Sequence, residues 1–268
     1  MYEEFYGLER TPFSKTPDPA FLYMSKGHEE ALARLLYAVE QKEFVLLTGE
    51  VGCGKTTITR ALIDSLDDSH KVVLILNPGL TASQLLRTIA RRLEIDSFPK
   101  YKDDLLESIY QRIYELYEKD ITTVIIVDEA QLIPRKETFE EVRLLTNYQL
   151  DDTNLLSLIL VGQPGLRKRL VHRTYRALRQ RIGLFYSLGP LSREETYEYI
   201  NYRLSVGGRE ENIFTDEAVA LIYKYSKGIP RLVNSIATAA LLDGFGNEYE
   251  TIDAGLIKAA AGELLLDE

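Results

Sequence analysis

The 268-residue chain holds a single cysteine, Cys53, so no internal disulfide framework can form, and that scarcity suits a reducing compartment. No stretch approaches the roughly 18 consecutive apolar residues of a transmembrane helix. The first residues, Met1-Tyr2-Glu3-Glu4-Phe5, are acidic and lack the apolar segment of a signal peptide. These absences predict a cytoplasmic protein, free or at the cytoplasmic face of the inner membrane. Internal repeats and low-complexity tracts are missing too. Positive charge is in deficit: 32 Lys and Arg against 41 Asp and Glu give a net charge of −9, which argues against indiscriminate binding of nucleic acid. One stretch runs the other way. Between Thr153 and Arg193 there is no Asp or Glu, while Arg167, Lys168, Arg169, Arg173, Arg176, Arg179 and Arg181 are basic. Such a stripe suits phosphates, whether of a nucleotide or of duplex DNA, or an acidic neighbour. It equally suits a solvated helix face whose acids lie elsewhere in space.

What is present is more specific. Gly49-Glu50-Val51-Gly52-Cys53-Gly54-Lys55-Thr56 is a complete G-x-x-x-x-G-K-[ST] phosphate-binding loop. It follows the apolar run Phe44-Val45-Leu46-Leu47 and precedes a helical stretch over 56–66, which is the strand–loop–helix context the motif requires. Glycines let successive backbone N–H groups curl around a phosphate, and the helix N-terminus adds partial positive charge. Lys55 is expected to reach the β- and γ-phosphates of ATP, Thr56 to ligate Mg²⁺, and Thr57 to extend the cradle. Cys53 reads as a small residue tolerated in a tight loop rather than as a reactive thiol. Val124-Ile125-Ile126-Val127-Asp128-Glu129 then gives a buried strand ending in two acids. Asp128 is expected to hold Mg²⁺ and Glu129 to polarise the attacking water as general base.

Hydrophobic periodicity predicts helices over 28–41, 81–94, 102–119 and 136–149, and strands over 43–48, 72–76, 124–127, 155–161 and 182–186. Five strands alternating with helices imply a doubly wound parallel sheet with right-handed crossovers. Beyond Gly189-Pro190 the pattern becomes all-helical, with segments over 192–206, 215–226, 230–243 and 252–265 divided by Gly207-Gly208, Gly228-Ile229-Pro230 and Gly244-Phe245-Gly246. The expected organisation is an N-terminal segment over 1–27 packed on the nucleotide-binding domain, an α/β domain over 28–190 and a small helical lid over 191–268.

A sheet with both Walker motifs and a helical lid resembles the AAA+ ATPases, and local strings narrow the resemblance to the ExeA-like (general secretion pathway protein A) family. These strings are Phe5-Tyr6-Gly7-Leu8, Pro12-Phe13, Pro17-Asp18-Pro19, Phe21-Leu22-Tyr23, Asp128-Glu129-Ala130-Gln131, Leu160-Val161-Gly162-Gln163-Pro164, Leu178-Arg179-Gln180-Arg181-Ile182 and Gly228-Ile229-Pro230-Arg231-Leu232-Val233-Asn234. The resemblance implies that Gln163 takes the sensor 1 position and Arg231 sensor 2. It also implies that an arginine of the 178–182 string reaches a neighbouring subunit's nucleotide, with Arg181 preferred over Arg179 and Arg176. The opening segment is expected beside the adenine. A homo-oligomeric ring or filament follows from the same resemblance. The secretion-pathway members continue past this ATPase part into a membrane span and a further domain, whereas short free-standing members resemble the target-selecting ATPases of DNA transposition. Partners in a secretion or pilus apparatus, or a transposase with duplex DNA contacted by Arg167, Lys168, Arg169 and Arg173, both remain open, as does an interaction module with negligible turnover. A helicase reading from Asp128-Glu129-Ala130-Gln131 is poor, because DEAD-box-like helicases need a second RecA-like domain, for which these 268 residues are too short.

Overall fold

The computed structural model describes residues 1–14, 18–95, 99, 101–150 and 153–264. Along the chain run α1 (Tyr2–Phe5), α2 (Lys26–Glu40), β1 (Phe44–Gly49), α3 (Lys55–Asp64), β2 (His70–Ile75), α4 (Ala82–Arg92), α5 (Lys102–Tyr117) and β3 (Thr122–Val127). Then follow α6 (Lys136–Leu145), β4 (Leu156–Gly162), α7 (Pro164–Val171), α8 (Arg176–Arg181), β5 (Leu184–Leu188), α9 (Arg193–Val206), α10 (Asp216–Ser226), α11 (Pro230–Gly246) and α12 (Ala254–Leu264). These elements gather into two compact units. One comprises Met1–His28, Gly52–Thr57 and Gly189–Glu268, the other Glu29–Val51 and Ile58–Leu188.

The second unit is built on a five-stranded sheet of order β2-β3-β4-β1-β5 in which every pairing is parallel. The central strands β1 and β4 are buried at every position, as Val/Ile/Leu runs covered on both faces must be, whereas the edge strand β5 alternates. Register aligns Thr48 with Gly162 and Val127 with Leu160, so β1, β3 and β4 all finish at one edge of the sheet. The chain leaving β1 travels toward β2, and the chain leaving neighbouring β4 travels the opposite way toward β5. Right-handed crossovers in opposite directions place the following helices on opposite faces, which opens a crevice at the carboxyl end of β1. Strand β2 begins two residues before the expected 72, because His70 and Lys71 continue the ladder to Thr122 and Thr123.

The first unit has its own core. Tyr6, Leu8 and Phe13 of the opening segment are buried with Leu204, Phe214, Ile222, Val233, Ala237 and Ile257 of the C-terminal helices. The opening segment thus shares the core of the helical unit. Arg203 of α9 explains the attachment: its guanidinium donates to the carbonyls of Pro12, Phe21 and Ser14 and lies 4.6 Å over the Phe21 ring. Pro17 of the same segment and Leu265 of the expected last helix lie outside the described residues. The glycines 244 and 246, expected to end a helix, lie inside α11. Gly244 is there for closeness: a Cβ on it would come within 2.5 Å of the Tyr6 hydroxyl and of Ile252 Cδ1.

Candidate nucleoside triphosphate site

The phosphate loop leaves β1 at Gly49, where a Cβ would lie 2.7 Å from the Leu188 carbonyl oxygen, so only glycine fits beside the end of β5. Glu50 and Val51 are exposed. Gly52 and Gly54 then take φ of +87° and +94°, backbone that side chains rarely adopt, and the chain turns into α3 at Lys55. Cys53 is fully buried, in keeping with a packed residue rather than an accessible thiol. Lys55 opens α3 and is only 6% exposed, with Thr56 and Thr57 in the same first turn.

Two residues from outside the motif grip this loop. The Arg231 N–H, at the start of α11, donates to the Gly52 carbonyl at 3.4 Å. A Cβ on Gly52 would approach Arg231 Cβ to 2.7 Å. The residue that the resemblance assigns to sensor 2 is thus anchored on the loop by its backbone while its side chain is exposed. From another side His28 of α2 donates through Nε2 to the Cys53 carbonyl at 3.0 Å. Burial pushes the His28 pKa below its ordinary value, against smaller upward pulls from the Cys53 carbonyl and the Glu195 carboxylate. Sequence reasoning placed His28 only as the first residue of a helix. The available signal was a histidine opening an otherwise amphipathic helix just before the phosphate-loop strand.

At the carboxyl edge of the sheet, β3 delivers Asp128 and Glu129. Asp128 is 3% exposed and its Oδ1 accepts the Glu129 N–H at 2.8 Å. Glu129 itself adopts left-handed backbone, φ +51°, a conformation that turns its side chain out of the strand direction. Its carboxylate accepts a hydrogen bond from the Gln131 amide, whose Oε1 in turn accepts the Gln163 N–H at 3.0 Å. Gln131 therefore joins the expected general base to the expected sensor at the β4–α7 junction. The sequence carried Gln131 within the Asp-Glu-Ala-Gln string, yet nothing in its spacing announced the bridge to residue 163.

The arginines divide. Arg181 donates to Asn147 Oδ1 at 2.6 Å and shares a hollow with Lys42, Glu43 and Phe44 at the start of β1. That is the amino edge of the sheet, about 17–20 Å from the edge carrying Asp128, given the length of a strand of this size. Arg179 makes a long 3.5 Å contact to the Val171 carbonyl, and Arg176 is exposed. Arg169 is committed internally: it donates to the Ile133 carbonyl at 2.6 Å and lies 4.9 Å over Phe139 and 5.5 Å over Tyr175. Arg167, Lys168 and Arg173 are exposed.

A parallel sheet of this order, with a glycine-rich loop after β1 and paired acids after β3, defines a P-loop NTPase of the AAA+ class. Residues 38–170 match the family model described as "AAA domain", and the fold is that of the AAA+ P-loop proteins. Within that class it is a relative of general secretion pathway protein A of Aeromonas hydrophila, with 41% identity over 270 residues. The match takes in 98% of this chain and 48% of the relative, so the chain spans about half the relative's length. Solved structures share the fold at low identity. A Cdc6p from Pyrobaculum aerophilum superposes with TM-score 0.68 at 18% identity, over 94% of this chain and 72% of that one. The Thermotoga maritima RuvB Holliday junction branch migration motor gives 0.61 at 19%, over 91% and 70%. No helix among the described residues is long and apolar enough to cross a membrane.

Proposed function

We propose that this chain binds and hydrolyses MgATP and assembles, with nucleotide bound, into a ring or filament that works as a switch or motor within a larger machine. The observation that carries the reading is the Asp128–Glu129–Gln131–Gln163 constellation at the sheet edge where the phosphate loop begins. Lys55 neutralises β- and γ-phosphate charge, and the N–H groups of residues 52–57 cradle the phosphates. Among the described residues no group of three His, Cys, Asp or Glu stands ready to cage a metal. A hydroxyl and a single buried carboxylate suit magnesium, which keeps several waters and shares phosphate oxygens. Thr56 and Asp128 would hold it, and the ion would neutralise charge developing on the phosphate oxygens. Glu129 orients the attacking water and takes its proton, and Gln163 senses the γ-phosphate. Arg181 lies at the wrong edge to serve its own chain's nucleotide, which supports its action on a neighbour's. The name of the A. hydrophila relative supports a role in secretion.

Glu129→Gln is expected to keep MgATP affinity within about twofold and to lose 10²-fold or more of turnover, a typical loss for a positioned base. Lys55→Ala is expected to weaken binding instead. Titration with a fluorescent ATP analogue, beside a phosphate-release assay, reads both; wild-type turnover in Glu129→Gln would remove Glu129 from its role.

The exposed Arg167, Lys168 and Arg173 favour a second reading, a DNA-bound ATPase acting in transposition. With an ATP analogue present, duplex DNA would then bind with log affinity falling linearly in log salt, by about 0.9 per phosphate neutralised. Replacing those three residues by Ala should lower the slope by up to about 3. Arg169→Ala, by contrast, should disturb folding around Ile133. Anisotropy of labelled duplex at several salt concentrations decides it, and absence of nucleotide-dependent binding at low salt discards the DNA reading.

A further inference from the structure

We propose that His28 is a positioning residue for the nucleotide, holding the Cys53 peptide so that the Gly54 N–H is aimed into the phosphate cradle before any phosphate arrives. The inference rests on the loop's being a triphosphate site. A carbonyl oxygen can only accept, so the 3.0 Å contact to Cys53 fixes the ring proton on Nε2. Ser25 completes the tautomer: its Oγ accepts the His28 backbone N–H at 3.3 Å, and its hydroxyl donates to Nδ1 at 2.6 Å. Both ring nitrogens are thereby satisfied without charge, in a side chain on a residue only 5% exposed. The lowered pKa agrees with that neutral form.

The consequence for the loop follows from peptide geometry. No cis bonds occur among the described residues, and in a trans peptide the carbonyl and the next N–H point in opposite directions. Pinning the Cys53 carbonyl toward His28 sends the Gly54 N–H the other way. The Arg231 N–H does the same to the Gly52 carbonyl and hence to the Cys53 N–H. Two consecutive donors are thus aligned from behind, which is how a backbone nest for an anion is built. The segment carrying His28 is itself fixed, since the Lys26 N–H donates to Glu195 in the first turn of α9 at 3.1 Å.

The test compares His28→Phe, which keeps the ring and removes the donor, with His28→Gln, whose amide can restore it. Affinity for a methylanthraniloyl-ATP with Mg²⁺ is measured beside thermal unfolding without nucleotide. His28→Phe is expected to bind about tenfold more weakly at a temperature where it is fully folded, and His28→Gln to recover to within about threefold. Equal affinity in wild type and His28→Phe overturns the proposal, even if the melting temperature falls. Should His28→Phe fail to fold, Ser25→Ala replaces it, with a loss of about threefold expected and none overturning the idea. A wild-type protein that binds no analogue would instead overturn the triphosphate site itself.

Discussion

His28 has a pH signature that belongs to the single residue. Its folded pKa lies below the 6.5 of a free imidazole, so between the two values the unfolded chain holds a proton that the folded chain refuses. The stability contributed by neutral His28 is therefore complete above about pH 6.5 and is lost as pH falls through the folded pKa. The charged group facing it is Glu195, whose carboxylate opposes the shift only in part. Melting temperatures of the nucleotide-free protein should fall between pH 7.5 and 5.5, and His28→Gln should flatten the fall. An identical slope in the two proteins would assign the acid sensitivity to other groups. At this scale the sequence displayed the motif side chains plainly, because Lys55, Thr56, Asp128 and Glu129 sit in strings whose spacing is set by a phosphate. It did not display His28 or Gln131, since their partners are brought close by folding rather than by adjacency.

Among the elements, the strands were legible because a parallel sheet covered on both faces demands unbroken apolar runs, and β1, β3 and β4 have them. Helix ends were legible where a cap chemistry exists, as at Thr81 and Ser192, each of which forms a capping box. Gly244 misled, because a glycine needed for close packing looks like one needed for a turn. Arg203 was invisible for a related reason: on a helix with little amphipathic pattern a basic residue reads as surface. Instead it is buried among three carbonyls of the opening segment. Arg203→Met, which keeps the apolar stem, should destabilise the protein by about 2–4 kcal/mol by leaving those carbonyls unpaired. Chemical denaturation would show a lower midpoint, and protease should reach residues 1–14 sooner than in the wild type. Full stability in Arg203→Met would mean that water satisfies the carbonyls as well as the guanidinium does.

For the whole molecule, the decisive geometry is that Arg181 and the Glu129 constellation occupy opposite edges of one sheet. A single chain cannot bring them together, so on the proposed reading Arg181 would complete the catalytic set of a second copy placed head to tail. Head-to-tail contacts close into rings or continue as filaments. A non-hydrolysable ATP analogue should raise light scattering by the wild type. Arg181→Ala should keep analogue affinity within about twofold and lower turnover by roughly 10³-fold, as loss of a donated arginine does in other NTPases. A monomer with full activity would contradict the arrangement. Loss of the Asn147 contact is a separate and smaller effect, visible as a change in melting temperature alone.

The glycines of a phosphate loop are ordinarily credited to the ligand, which needs room for its oxygens. In this chain the direction a Cβ would take from Gly54 is already filled by the His28 ring, 2.5 Å away, and that from Gly52 by Arg231 and Ile229. Protein packing alone would therefore preserve both glycines in a descendant that had ceased to use ATP. Their survival in a relative's sequence is consequently poor testimony of an active enzyme. Lys55 and Glu129, whose side chains would carry the proposed chemistry, are the positions at which such a descendant would first betray itself.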